Sequence, residues 1–269
     1  MKSLMLTMCL LGLMLWPPTL SLKICAFNVQ SFGEAKAHNK KVMNMLIKII
    51  ARCDLCLVQE VRDSKGEAIP TLVKHLNREQ KAGKDELQGA VCVHIPEGGS
   101  NHTKLFTREP FIIRIYSPST LVKDFVLVGQ HTSPKNAMKE IEELYGVYTE
   151  ISKKWKTQNV MFLGDLNAAC SYITVKGWKA IRLRNDPKFH WLIGDEEDTT
   201  VRDNTRCAYD RIVVHGKELY YGIVPDSAQP FNFKKEFQLS EEEALEVSDH
   251  YPVEVDLKPN HRYLLRHEL

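Results

Sequence analysis

The sequence predicts an α/β fold built round one core, and three patterns point that way. Apolar runs of strand length alternate with stretches whose apolar residues recur at the spacing of one helical face. Acids, amides and imidazoles gather where several of the runs stop. With 269 residues and 43% apolar content the chain can bury one large core, and neither a linker nor an internal repeat divides it. One domain over residues 22–258 is expected, followed by a short polar tail at 259–269.

Lys2 precedes an apolar run at 4–16, and residues 17–21 supply a break and small side chains before a cleavage point near Leu22. This reads as a signal peptide over residues 1–21, and secretion follows from it. A membrane anchor is the weaker reading, because the run is shorter than the roughly 20 residues that span a bilayer. No other segment could span. The last four residues, Arg266-His267-Glu268-Leu269, only faintly resemble an endoplasmic-reticulum retrieval signal, since His267 stands where an acid is usual. A net charge of +2 favours a polyanionic partner only slightly.

In chain order, residues 23–29 form the first strand, with Asn28 near its end. Val42, Met45, Leu46, Ile49 and Ile50 share one helical face. Residues 54–59 form the next buried strand and deliver Glu60 at its mouth. Leu72, Val73 and Leu76 mark a second helix with Pro70 near its first turn. The pattern dissolves over 79–105, where 90–95 allows one strand and 96–100 a turn. Strands are expected at 111–116 and 124–130, with His131 ending the second. Met138, Ile141, Leu144, Tyr145, Tyr148, Ile151 and Trp155 describe a long amphipathic helix. Residues 211–214 and 218–224 read as consecutive strands around Gly216. Ser240-Glu241-Glu242-Glu243 is a capping-box sequence, and residues 248–256 alternate like a half-exposed last strand.

The organising stretch is Met161-Phe162-Leu163-Gly164-Asp165-Leu166-Asn167. An apolar run ends there on a carboxylate and an amide two residues apart, which extended backbone would place on one face. Such a pair suits one hydrated ion or phosphate; a simple Asp/Asn turn is the bland alternative. Asp249 and His250 supply an acid and an imidazole at a second strand mouth.

Six blocks carry a closer resemblance: Ile24-Cys25-Ala26-Phe27-Asn28-Val29, Val58-Gln59-Glu60-Val61-Arg62-Asp63-Ser64, Thr107-Arg108-Glu109-Pro110, Gly164-Asp165-Leu166-Asn167-Ala168, Cys207-Ala208-Tyr209-Asp210-Arg211-Ile212-Val213-Val214, and Ser248-Asp249-His250-Tyr251-Pro252-Val253-Glu254. In this order and across nearly the whole mature chain, they resemble the deoxyribonuclease I family, within the endonuclease/exonuclease/phosphatase superfamily. Trp191-Leu192-Ile193-Gly194-Asp195 leans towards its gamma-type branch, although that branch's basic tail is not evident.

The resemblance implies a four-layer αββα sandwich, two packed mixed β-sheets flanked by helices. It also implies a secreted, monomeric endonuclease that hydrolyses double-stranded DNA with little sequence preference. Cutting a phosphodiester needs an activated water, charge relief on the phosphoryl oxygens and help for the leaving oxygen. By resemblance, Asn28, Glu60 and Asp249 would hold Mg²⁺ or Ca²⁺, an oxygen set that suits hard cations rather than zinc. Asp165 and Asn167 would bind ion or phosphate. Asp210 and His250 would form the base pair of the site, and His131 would serve the leaving oxygen. For most of the ten histidines a surface or core place without catalysis is the simpler reading. Arg62 and Arg108 would reach the DNA, or else pair with Asp63 and Glu109. Cys170 and Cys207 match the family's structural disulfide. Cys25, Cys53 and Cys56, lying in or beside strands, read as buried thiols, and Cys53-x-x-Cys56 alone is a weak zinc or redox signal.

The resemblance fails over 79–105, where the family has two more strands, a groove-entering loop and a catalytic glutamate that orients the second histidine. Glu86 is the nearest carboxylate to nominate in its place, and a solvated loop is its simpler role. A secreted binding protein that keeps the fold but lacks turnover is therefore the competing reading. Actin binding, a property of some relatives, does not follow from these residues. Asn101-His102-Thr103 is a formal glycosylation sequon.

Overall fold

The structure, a computed structural model, describes residues 21–83, 91–96 and 105–260. The leader, Glu86, Asn101 and the end of the polar tail lie outside the described residues.

Among the described residues, ten strands make two sheets of five. The strands are β1 (Leu22–Phe32), β2 (Leu55–Val61), β3 (Val91–Pro96), β4 (Phe111–Tyr116), β5 (Asp124–Gly129), β6 (Val160–Asp165), β7 (Phe189–Trp191), β8 (Asp210–His215), β9 (Gln229–Pro230) and β10 (Val253–Leu257). The first sheet runs β3-β2-β1-β10-β9 and the second β4-β5-β6-β8-β7. Both are mixed: β1, β2 and β3 are parallel and β10 antiparallel to β1, while β5 and β6 are parallel and β8 antiparallel to β6.

Side-chain alternation explains the layering. On β1, Ile24 and Ala26 face the second sheet, while Cys25, Phe27 and Val29 face the opposite way. On β6, Met161 and Leu163 face the first sheet, and Val160 and Phe162 point outwards. Strands buried on both faces read as unbroken apolar runs, as these do. The outer face of the first sheet is covered by α2 (Lys40–Ile50), α3 (Ala68–Gly83) and α9 (Glu241–Val247). The outer face of the second is covered by α4 (Ala137–Trp155) and by two short helices, α5 (Val175–Ala180) and α6 (Arg182–Asn185). Helix, sheet, sheet and helix therefore stack in four layers. The remaining helices, α1 (Glu34–His38), α7 (Lys217–Tyr221) and α8 (Phe233–Glu236), are short.

Four expectations need correction. Residues 218–224 are not a strand: Gly216 turns the chain with φ +101°, and α7 follows with Leu219 buried. Ile223, past the end of α7, is in strand-like contact with Leu257, so only the end of the run is extended. Cys25 and Cys53 are bonded to each other rather than being thiols, with Cα atoms 6.1 Å apart; the chain leaving α2 returns beside β1. Cys170 and Cys207 are joined as well, and Cys56 is buried. The last strand is buried rather than half-exposed. Its Glu254 is held by Arg52 at 3.0 Å and Lys23 at 3.3 Å, so an acidic residue sits where alternation suggested solvent. Finally, β6 stops at Asp165 and Asn167 takes φ +47°, so extended backbone does not align their side chains.

Candidate active site

Parallel strands end at the same edge, so β1 and β2 of one sheet and β5 and β6 of the other deliver their last residues to a common place. The antiparallel β8 and β10 begin there. Asn28, Glu60, His131, Asp165, Asp210 and His250 meet at this edge.

Local irregularity aims the first two. Gln30 and Ser31 adopt left-handed φ of +49° and +58°, and the pairing of β1 with β2 slips between Asn28 and Phe32. The bulge turns the Ser31 N–H onto Glu60 Oε2 at 3.0 Å, while Glu60 itself has φ +59°. Asn28 Oδ1 accepts from the Gln30 N–H at 2.9 Å. Its Nδ2 donates to Asp165 Oδ2 at 3.0 Å and Glu60 Oε1 at 3.4 Å. The amide thus bridges carboxylates from two sheets.

Asp165 is the centre. Its Oδ2 lies 3.4 Å from His131 Nε2 and 3.6 Å from His250 Nε2, and its Oδ1 accepts from the Asn167 N–H at 3.0 Å. Asn167 Nδ2 donates to the Thr132 carbonyl, so that side chain ties the β6 loop to the residue beside His131. Gln59 completes the crossing: its Oε1 accepts from the Asp165 N–H at 3.0 Å and its Nε2 donates to the Gln130 carbonyl at 2.8 Å. Gly164 makes room for it. A Cβ there would lie 2.6 Å from Gln59 Nε2 and 2.5 Å from the Gln130 carbonyl, and its φ is +124°.

The two imidazoles differ. His250 Nδ1 is 2.7 Å from Asp210 Oδ2, and its N–H donates to Ser248 Oγ. Burial alone would lower its pKa, but the charges of Asp210 and Asp165 and the bond to Asp210 push it up to about 10. His131 is 6% exposed, and its Nδ1 has no hydrogen-bond partner among the described residues. Burial holds its pKa below the ordinary value, against the pull of Asp165. Burial raises the Asp165 carboxyl, although His250 pulls it down. Burial likewise works to raise Glu60, but His131, the Ser31 N–H, Asn28 and Arg62 outweigh it and lower its pKa.

The arrangement fits a divalent cation. Asp165, Asp210 and His250 offer one ligand atom each within 4.8 Å of one another, and Glu60 adjoins the same group through Asn28 and His131. Asp210 Oδ1 is buried and accepts no hydrogen bond among the described residues, an acceptor-only atom of the kind a cation satisfies. Asp249 borders the cluster from the His250 side. Its side chain is 32% exposed, with Oδ1 3.9 Å from His250 Nε2. Arg62 Nη2 lies 3.8 Å from Glu60 Oε2, and Arg108 donates to the Thr132 carbonyl at 3.5 Å, so both border the cluster. The Cys170–Cys207 bond pins the loop after Asn167 to the segment before Asp210.

Residue-by-residue reading of the sequence overlooked Gln59, Ser248 and Lys36. Gln59 had a signal, a polar residue inside an otherwise apolar strand; Ser248 and Lys36 had none beyond their neighbours.

Comparison with known proteins shows the family. The model of the Endonuclease/Exonuclease/phosphatase family matches residues 25–250. Human deoxyribonuclease gamma is 44% identical, the match covering 91% of this chain and 88% of the relative. The mouse deoxyribonuclease gamma is 46% identical over 91% and 87%, and pig deoxyribonuclease-1 is 42% identical over 89% and 92%. The chain belongs to the Endonuclease/Exonuclease/phosphatase family, within its deoxyribonuclease I-like group.

Proposed function

We propose that this protein is a secreted endonuclease that cuts double-stranded DNA with the help of Mg²⁺, Ca²⁺ or both, acting as a monomer. The observation that carries the reading is the convergence of two imidazoles with the carboxylates of Glu60, Asp165 and Asp210, in a chain whose relatives are deoxyribonucleases.

Asp210 fixes the His250 ring through Nδ1, which leaves Nε2 facing the cluster to exchange a proton with the attacking water. His131 Nε2 faces Asp165 and Glu60 and serves the leaving oxygen. Glu60 and Asp165, with Asn28 between them, would hold the cation. A cation held there would relieve charge on the phosphoryl oxygens, and its charge beside Asp165 would work against the carboxylates that raise the His250 pKa. Arg62 and Arg108, at the rim, supply positive charge for backbone phosphates, a contact that is indifferent to base identity. The leader at 1–21 and the two disulfides support secretion, because such bonds persist in oxidising compartments. Among the described residues no helix is long and apolar enough to cross a membrane.

A second reading, a scaffold with little or no turnover, is favoured by His131 Nδ1, which has no hydrogen-bond partner among the described residues. Purified protein incubated with supercoiled plasmid, with Mg²⁺ and Ca²⁺ or with chelator, separates the two. Nicking that needs metal and disappears in His250→Ala supports the endonuclease. Intact plasmid at high enzyme concentration supports the scaffold.

A further inference from the structure

Lys36, in the five-residue α1, reaches under the site without touching any of the residues assigned to it. Its Nζ donates to the Val29 carbonyl at 2.7 Å and to the Val247 carbonyl at 2.8 Å. Val29 follows Asn28 in the bulge of β1, where the ladder slips. Val247 is the last residue of α9, whose final carbonyls have no partner within the helix, and Ser248, Asp249 and His250 follow it directly. Both acceptors are thus main-chain groups at irregular places, where the regular ladders leave backbone oxygens in need of donors. A lysine suits the task, because its ammonium is a compact centre with three donors on a flexible stem.

A second rung runs beside the first. Ser248 Oγ donates to the Asn28 carbonyl at 2.6 Å and accepts from the His250 N–H at 3.0 Å. The two rungs clamp the end of β1 to the segment that carries Asp249 and His250, two parts of the chain more than 200 positions apart, as the Lys36–Val247 separation of 211 shows. Lys36 is half-buried, and its ammonium joins the end of β1 to the end of α9, beyond the reach of the β1–β10 ladder.

We propose that Lys36 is a positioning residue: by tying Val29 to Val247 it sets the distance between Asn28 and the Asp249–His250 segment, and hence the fit of the cluster to a divalent cation. The activity arm of its test rests on the endonuclease reading; the binding arm does not.

The test compares wild type with Lys36→Met and Lys36→Arg in the full mature chain. Mg²⁺ and Mn²⁺ binding is followed by calorimetry without DNA, the His250 imidazole by NMR, the melting temperature by calorimetry, and plasmid nicking by kcat and KM. Loss of an outer-shell support is expected to weaken metal binding and kcat in Lys36→Met by about 10- to 100-fold, with KM for DNA unchanged and the His250 resonance displaced. A merely structural lysine would lower the melting temperature and leave metal affinity and the imidazole as in wild type, which overturns the proposal. If Lys36→Met does not fold, Lys36→Arg decides, since its planar fork keeps the charge but not the single-point grip on two carbonyls. Weakened metal binding in that variant supports the clamp, and wild-type binding refutes it. Wild type that binds metal but never nicks refutes the endonuclease reading alone.

Discussion

The two histidines of the cluster are held in opposite ways. His250 has a buried carboxylate on Nδ1 at 2.7 Å and a serine on its main-chain N–H. His131 is fixed through its neighbours instead: Gln130 Nε2 donates to the Arg108 carbonyl, and Thr132 bonds Asp165 and Leu166 through its N–H and its hydroxyl. Its own Nδ1 has no partner among the described residues. Position is thus secured in both halves, whereas among the described residues a carboxylate on Nδ1 is found in only one.

Breaking the activated half should cost most. Asp210→Asn leaves the geometry near native but removes the charge on His250 Nδ1, and plasmid nicking is expected to fall towards the upper end of an about 10²- to 10⁴-fold range. Removing the other ring should cost less, because among the described residues no acid holds its Nδ1. His131→Ala is expected to lower kcat by about 10²-fold, the lower end of the same range. Equal losses in the two variants would erase the contrast.

Two stability measurements sharpen it further. Gln59→Leu removes the bridge that carries Asp165 and Gln130, the main-chain support of the His131 half, and leaves buried groups unpaired at about 1–3 kcal/mol each. Urea denaturation should show that loss, and the His131 resonance should broaden or move while His250 keeps its pairing. Ser240→Ala acts at the start of α9, where Ser240 and Glu243 form a reciprocal capping box. It should cost only about 0.5–2 kcal/mol and leave both imidazoles where they are.

Much of this was legible in the chain itself. The apolar runs at β1, β2, β5 and β6 and the helical faces of α2 and α4 follow from spacing alone, because burial on one or both faces imposes the pattern. Asp165, Asp210 and His250 stood out because each ends or begins a strand within a recognisable block, and His131 because it ends a strand. What the pattern hid depended on distant pairing. Glu254 reads as solvent-facing until Arg52 and Lys23 arrive to neutralise it. The Cys25–Cys53 bond depends on how the chain leaving α2 returns to β1. Gln59 and Lys36 act through bonds to carbonyls 71 and 211 positions away, and no local period encodes such contacts.

The direct test is an NMR pH titration of both imidazoles in metal-free protein. His250 is raised from 6.5 to about 10, so it should remain an imidazolium through neutral pH and lose its proton only near pH 10. A pKa raised in the folded state stabilises fully below the unfolded value and fades as pH rises through the folded one. The melting temperature of wild type relative to His250→Gln should therefore decline between pH 6.5 and 10. His131 should titrate below 6.5. Two histidines that titrate together near 6.5 would contradict the claim that only one of them is activated by a carboxylate.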